Sequence, residues 1–189
     1  MPSLILASGS PRRIEMMSKL TDDFIVSVPD IDETPVEGET PEEMVLRLSA
    51  EKAGAVHSDT ETDLPVLAAD TIVVLDGVLG KPNDENEAFE MLRLLSGKTH
   101  EVITGVTLIE GKSGKIHSFT EKTEVVFSTM SDREINEYIA TGDPLDKAGA
   151  YGIQDHGGRY IKRIDGCFYN VMGFPFNRIY SLLKKLGII

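Results

Sequence analysis

The chain has 189 residues, 41% of them hydrophobic, and 31 Asp and Glu against 19 Lys and Arg give it a formal net charge of −12. That length and composition predict a single domain over 1–189 with a packed core, and exclude an intrinsically disordered chain. The acidic balance opposes binding to a nucleic acid polymer or an acidic membrane surface, but a small anion needs only a local cluster of cations.

Leu4 to Ala7 read as a short strand that runs into Ala7-Ser8-Gly9-Ser10-Pro11-Arg12-Arg13. Ser10 suits the N-cap of a helix, with Pro11 at its first position. A helix start exposes unpaired N–H groups, and two guanidiniums beside it add donors that match phosphate oxygens. The same pattern also suits an ordinary capped helix with two solvated arginines. Phe24 to Val28 read as a strand, and Pro29 to Glu39 as an acidic loop. Thr40-Pro41-Glu42-Glu43 is a capping box that opens a helix to about Val56. Val66 to Leu75 form the most apolar strand, ended by Asp76-Gly77, and Asp84 with Glu87 caps a helix through Leu95, with Gly97 as its stop signal. Thr99 to Glu110 and Lys115 to Phe127 flank a Gly-rich turn and predict an antiparallel hairpin. Ser131 with Glu134 caps a further helix closed by Gly142-Asp143-Pro144. Short strands are expected across Ala148 to Met172, and a terminal helix over Pro175 to Leu186. Alternating elements with a hairpin predict an α/β protein with a mixed sheet.

No run approaches the roughly 18 apolar residues that cross a bilayer, and the first residues lack a secretion pattern, so a cytoplasmic protein without a membrane role is expected. The single cysteine, Cys167, has no partner for an internal disulfide. The four histidines are scattered, which argues against a histidine zinc site.

Several polar residues stand where apolar ones are expected. Asp70 lies in the middle of the most apolar strand, where an unpaired buried carboxylate costs several kcal/mol. It therefore faces a cation, a metal or a wet cleft, or is satisfied by backbone donors. Lys52 falls on the apolar stripe of the second helix with Val45 and Leu48, while Glu43, Arg47 and Glu51 make a solvated ion-pair face. Its ammonium either snorkels along the stripe or enters a pocket. Lys81, between Gly80 and Pro82, is held in an extended turn, a place where a lysine is also commonly just exposed to solvent. Asp30, Asp32, Glu33, Glu37 and Glu39 crowd the acidic loop, and one of them could join Asp70 in holding a hard divalent cation.

Taken together, Ser8-Gly9-Ser10-Pro11-Arg12-Arg13, Glu51-Lys52-Ala53, Ala69-Asp70-Thr71, Gly80-Lys81-Pro82, Leu95-Ser96-Gly97 and Pro144 to Gln154 resemble the Maf family of nucleoside triphosphate pyrophosphatases, also called septum-formation inhibitor-like proteins, over essentially the whole chain. The resemblance implies an elongated α/β fold with a mixed sheet, flanking helices and a central cleft between two lobes, similar to the inosine triphosphate pyrophosphatases. It implies metal-dependent hydrolysis of a nucleoside triphosphate to the monophosphate and pyrophosphate, with magnesium or manganese held by Glu33 and Asp70, and a homodimer. Asp70 is then the general base, Arg12, Arg13, Lys52 and Lys81 neutralise the triphosphate, and Ser8 and Ser10 contact it. Arg12, Thr71 and Gln154 resemble the branch acting on thymidine and uridine triphosphates. Gln154 suits a base reader, because an amide both donates to and accepts from a pyrimidine edge. A second reading is a nucleotide-binding regulator of cell division and septum formation with little catalysis.

Overall fold

The computed structural model describes residues 3–60 and 63–189. Strand β1 (Leu4–Ala7) is wholly buried, as a run of consecutive apolar residues in a doubly flanked parallel strand should be. Strands β2 (Phe24–Ser27) and β3 (Val66–Val74) pair with it in parallel, Leu4 opposite Phe24 and Leu6 opposite Leu67. A two-residue strand β4 (Val78–Leu79) folds back antiparallel on the end of β3. Strands β5 (Thr99–Ile109) and β6 (Ile116–Phe127) form the expected hairpin, and β7 (Ile161–Asp165) pairs antiparallel with β6. The result is a mixed seven-stranded sheet in the order β2-β1-β3-β5-β6-β7, with β4 on β3.

The helices begin where their caps are written. Helix α1 (Pro11–Ser18) follows Ser10, α2 (Pro41–Asp59) carries the complete Thr40–Glu43 capping box, α3 (Glu85–Leu95) is capped by Asp84, and α4 (Asp132–Ile139) carries the Ser131–Glu134 box. One cap differs from expectation. The Ser10 hydroxyl makes no capping bond; instead Ser10 N–H donates to Ser8 Oγ at 3.2 Å, so Ser8 shapes the turn before α1.

The stretch expected to hold several short strands holds only β7, with the short helix α5 (Phe168–Val171) after it and 3₁₀ turns over Asp143–Asp146, Ala148–Ala150 and His156–Tyr160 before it. The reason is packing against glycine. A Cβ on Gly152 would lie 2.8 Å from Lys147 Cε, and one on Gly157 would meet the Tyr138 hydroxyl. Side chains therefore fold over bare backbone, and the chain curls instead of extending. Helix α6 (Phe176–Lys185) closes the chain.

By its internal contacts the chain divides into two compact units, 1–70 with 104–121 and 173–189, and 71–103 with 122–172. In the first, Ile5 and Ala7 of β1, Val66 and Ala68 of β3 and Ile109 of β5 pack on Ala53 and Val56 of α2. Gly105 of β5 lies so close to α2 that a Cβ there would run into the Val45 carbonyl and the Leu46 nitrogen. Backbone cannot move aside as a side-chain tip can. Gly105→Ala is expected to destabilise the protein by about 3 kcal/mol through overpacking, measured as a lowered denaturant midpoint; an unchanged midpoint would show that α2 can shift freely.

The second unit packs α3 and α4 residues such as Leu92, Leu95, Ile135 and Tyr138 with Val125, Phe127 and Tyr151. His100, 2% exposed, is enclosed with them. Its Nε2 shares a 2.7 Å hydrogen bond with the Tyr151 hydroxyl, and its Nδ1 is buried with no hydrogen-bond partner among the described residues. Burial therefore favours the neutral ring and pushes its pKa down from 6.5 to about 4. Unfolded chains take up this proton near pH 6.5 and folded ones only near 4, so the contribution of His100 is complete above pH 6.5 and lost as pH falls towards 4. The loss is about 3 kcal/mol. His100→Gln should lack this component, seen as a flatter dependence of unfolding free energy on pH between 4 and 6.5; parallel curves for the two proteins would contradict it.

Candidate active site

Side chains alternate along a strand, so Val66 and Ala68, which pack towards α2, predict that Asp70 faces the same helix. On α2, Leu48, Lys52 and Val56 follow one another at intervals of four and share a stripe. These two periodicities bring Lys52 to Asp70. Lys52 Nζ donates to Asp70 Oδ1 at 2.6 Å, with the lysine 9% and the aspartate 6% exposed. The ammonium thus enters a pocket and does not snorkel to solvent. It also lies 2.9 Å from Glu33 Oε1, so one cation bridges two carboxylates.

Glu33 reaches that position because the acidic loop is clasped to α2. Arg47 Nη2 and Nε donate to the two oxygens of Glu39 at 2.7 and 2.8 Å, and Nη2 reaches the Thr34 carbonyl at 3.3 Å. The hydrogen bonds from Arg47 hold the Glu39 carboxyl down to a pKa of about 2. Asp32 Oδ1 accepts from Thr34 N–H at 2.9 Å, and Thr34 lowers its pKa. Glu33 is therefore flanked on both sides by fixed residues. This corrects the expected Glu43–Arg47–Glu51 face. Arg47 contacts Glu51 at 3.3 Å, but Glu43 is taken by Thr40 in the capping box and Glu39 has its place. The clasp of Arg47 on Glu39 and Thr34 is what sequence reasoning missed, because an (i, i+8) pair from loop to helix leaves no periodic signal.

The corner before α1 contributes the remaining groups of this unit. Ser8 is buried and accepts from Ser10 N–H, which leaves its own hydroxyl proton to donate. Ser10 and both arginines are half-buried. Arg13 Nε donates to the Gly173 carbonyl at 2.9 Å. Burial lowers the pKa of Arg13 and Arg12 adds to this, while the charges of Asp70 and Glu33 oppose it. The guanidinium therefore belongs to the same electrostatic cluster as Asp70, Glu33 and Arg12.

Thr71, Lys81 and Gln154 belong to the second unit. Thr71 directly follows Asp70 in β3. Lys81 is exposed, and its loop is tied down where Gly149 N–H donates to the Gly80 carbonyl at 3.0 Å. Gly149 stands at φ 67, with its Cα so near Val73 that a Cβ would come within 2.9 Å of Cγ2. Gln154 lines a cavity of about 650 Å³ together with Thr141, Gly142, Asp143, Asp155 and His156.

The donor set at Glu33 and Asp70 is two carboxylates. Among the described residues no group of three or more His, Cys, Asp or Glu is placed to hold a metal ion. Such a pair does not suit a dedicated protein cage, but it fits magnesium or manganese, which are held by one or two carboxylates with the rest of the shell from water and substrate phosphates. The arrangement combines a buried carboxylate, an ammonium paired with it and a helix corner carrying two guanidiniums, groups of the kind that hydrolysis at a polyphosphate uses. Among the described residues no helix is long and apolar enough to cross a membrane.

The chain matches the Maf-like protein family over residues 3–186. It is 49% identical over 190 residues to a dTTP/UTP pyrophosphatase of Salmonella typhimurium, an alignment covering 100% of this chain and 95% of that one. It is 46% identical over 188 residues to a dTTP/UTP pyrophosphatase of Pelotomaculum thermopropionicum, covering 99% and 98%. Among solved structures, the Ham1 protein of Staphylococcus aureus is similar in fold, with a TM-score of 0.54, 14% identity and coverage of 97% of this chain and 98% of that one.

Proposed function

The chain belongs to the Maf-like proteins, and from that membership we propose that it hydrolyses nucleoside triphosphates, dTTP and UTP foremost, to the monophosphate and pyrophosphate. The observation that carries the catalytic part of this reading is the buried Asp70 carboxylate held 2.6 Å from the Lys52 ammonium in the middle of an apolar strand. A binding module has no use for a desolvated base, whereas a hydrolase has. The substrate part is supported by relatives that carry the name dTTP/UTP pyrophosphatase at 46–49% identity.

In this mechanism the triphosphate enters against the start of α1, where Arg12, Arg13 and the hydroxyls of Ser8 and Ser10 contact its oxygens. Lys52 and Lys81 neutralise further charge. Asp70 accepts a proton from the attacking water, whose oxygen forms a new bond to phosphorus as the anhydride bond between the α- and β-phosphates breaks and pyrophosphate leaves. Glu33 and Asp70 would hold a magnesium or manganese ion, which supplies charge neutralisation and a more acidic water when bound. Gln154 reads the pyrimidine edge, with Arg12 and Thr71 contributing to base preference.

The test is pyrophosphate release from a panel of natural and modified nucleoside triphosphates, with magnesium or manganese and after chelation. Selective release from dTTP and UTP that is lost with chelator is the expected result. Preference for 7-methylguanosine triphosphate would overturn the roles given to Arg12, Thr71 and Gln154, and binding without release would favour a regulator.

A further inference from the structure

Gln154 can present its side-chain amide in two orientations that differ only by exchange of oxygen and nitrogen. Uracil and thymine offer an N3–H donor beside a carbonyl acceptor, whereas cytosine offers an N3 acceptor beside an amino donor. An amide free to turn over would satisfy either base. A base reader that discriminates must have its orientation set by the protein.

In this structure Gln154 Nε2 donates to Asp155 Oδ2 at 2.8 Å. A carboxylate accepts and does not donate, so it takes the nitrogen end of the amide and refuses the oxygen end. Asp155 in turn stands beside a buried cation. Its Oδ2 lies 3.9 Å from Nζ of Lys147, which is 6% exposed. The three N–H bonds of that ammonium go to the Asp143 carbonyl at 2.6 Å, Asp143 Oδ1 at 2.8 Å and Asp146 Oδ1 at 2.7 Å. Lys147 is therefore fixed, and Asp155 stands beside it at the edge of ion-pair range. Both side chains cross the bare face of Gly152, where a Cβ would lie 3.0 Å from Asp155 Oδ2. Gln154 and Asp155 line the same cavity.

We propose that Asp155 is a positioning residue for base selection, fixing the Gln154 amide with its oxygen free for the N3–H of uracil or thymine and so rejecting cytosine. This rests on the reading of Gln154 as the base reader of a pyrimidine triphosphate hydrolase. Asp155→Asn is the decisive variant, because an isosteric amide can meet Gln154 with either end, and Asp155→Ala removes the constraint altogether. Asp155 has a side chain 41% exposed, which makes both variants compatible with folding.

The experiment compares kcat and KM for pyrophosphate release from UTP and CTP by the full chain and the two variants. The preference of the unsubstituted protein for UTP should fall by about tenfold or more in both, mostly by a lowered KM for CTP. Equal losses with UTP and CTP, leaving the ratio intact, would mean that Asp155 is merely structural and would overturn the proposal. Equal use of UTP and CTP by the unsubstituted protein would overturn it too. If the unsubstituted protein releases no pyrophosphate from either nucleotide, the reading beneath the proposal fails and takes the proposal with it.

Discussion

Asp70→Asn is expected to lower kcat for pyrophosphate release by about 10²–10⁴-fold, the usual worth of a positioned general base, while nucleotide binding stays within a few-fold. The substitution keeps the shape of the side chain, and an Asn oxygen can still accept from Lys52 Nζ, which stands 2.6 Å from Asp70 Oδ1. What it removes is the capacity to take a proton and the negative charge for a divalent ion. Steady-state pyrophosphate release together with equilibrium binding of a non-hydrolysable analogue separates the two effects. Near-normal turnover in this variant would exclude Asp70 as the base.

Lys52→Met is expected to impair both folding and turnover. It leaves Asp70, 6% exposed, beside Glu33 with no ammonium between them. Removing one partner of a buried pair typically costs 3–5 kcal/mol, because the other charge remains desolvated. The exposure of Glu33 and the nearby charge of Arg13 place the cost at the lower end, about 3 kcal/mol. A double-mutant cycle identifies the cause. Lys52→Met with Asp70→Asn should be more stable than the sum of the single effects by about 1–3 kcal/mol, whereas additive losses would show that Lys52 contributes only packing along α2. Activity should not return in the double variant, since the base and a neutralising cation are both gone.

Local signals carried most of the fold. Capping boxes at Thr40 and Ser131, the cap at Asp84 and the Gly-rich turn after Glu110 act within a few residues, so the starts of α2, α3 and α4 and the β5–β6 hairpin could be read directly. Where side chains from elsewhere replace local signals, the local pattern does not predict the structure. The glycines of 149–158 are shaped by Val73, Tyr138 and Lys147, and the stretch curls into 3₁₀ turns instead of the expected strands. Strand β4 is too short to show any alternation.

The same division runs through the site. The sequence by itself determined that Asp70 and Lys52 are out of place on apolar surfaces, because strand period and helix period assign each a face and a misplaced charge is costly there. It determined the corner at Ser8 to Arg13 as well, since a strand running into a helix that starts at Pro11 is a local event. Only the tertiary structure decided that those two misplaced charges are each other's partner, and that Glu33 of all the acids in its loop is the one at 2.9 Å from Lys52. That choice is made by Arg47 gripping Glu39 and Thr34, and the orientation of Gln154 by Asp155 beside the buried Lys147. Periodicity tells which way a side chain points, but which group it meets depends on how separate segments pack, and no short-range pattern encodes that.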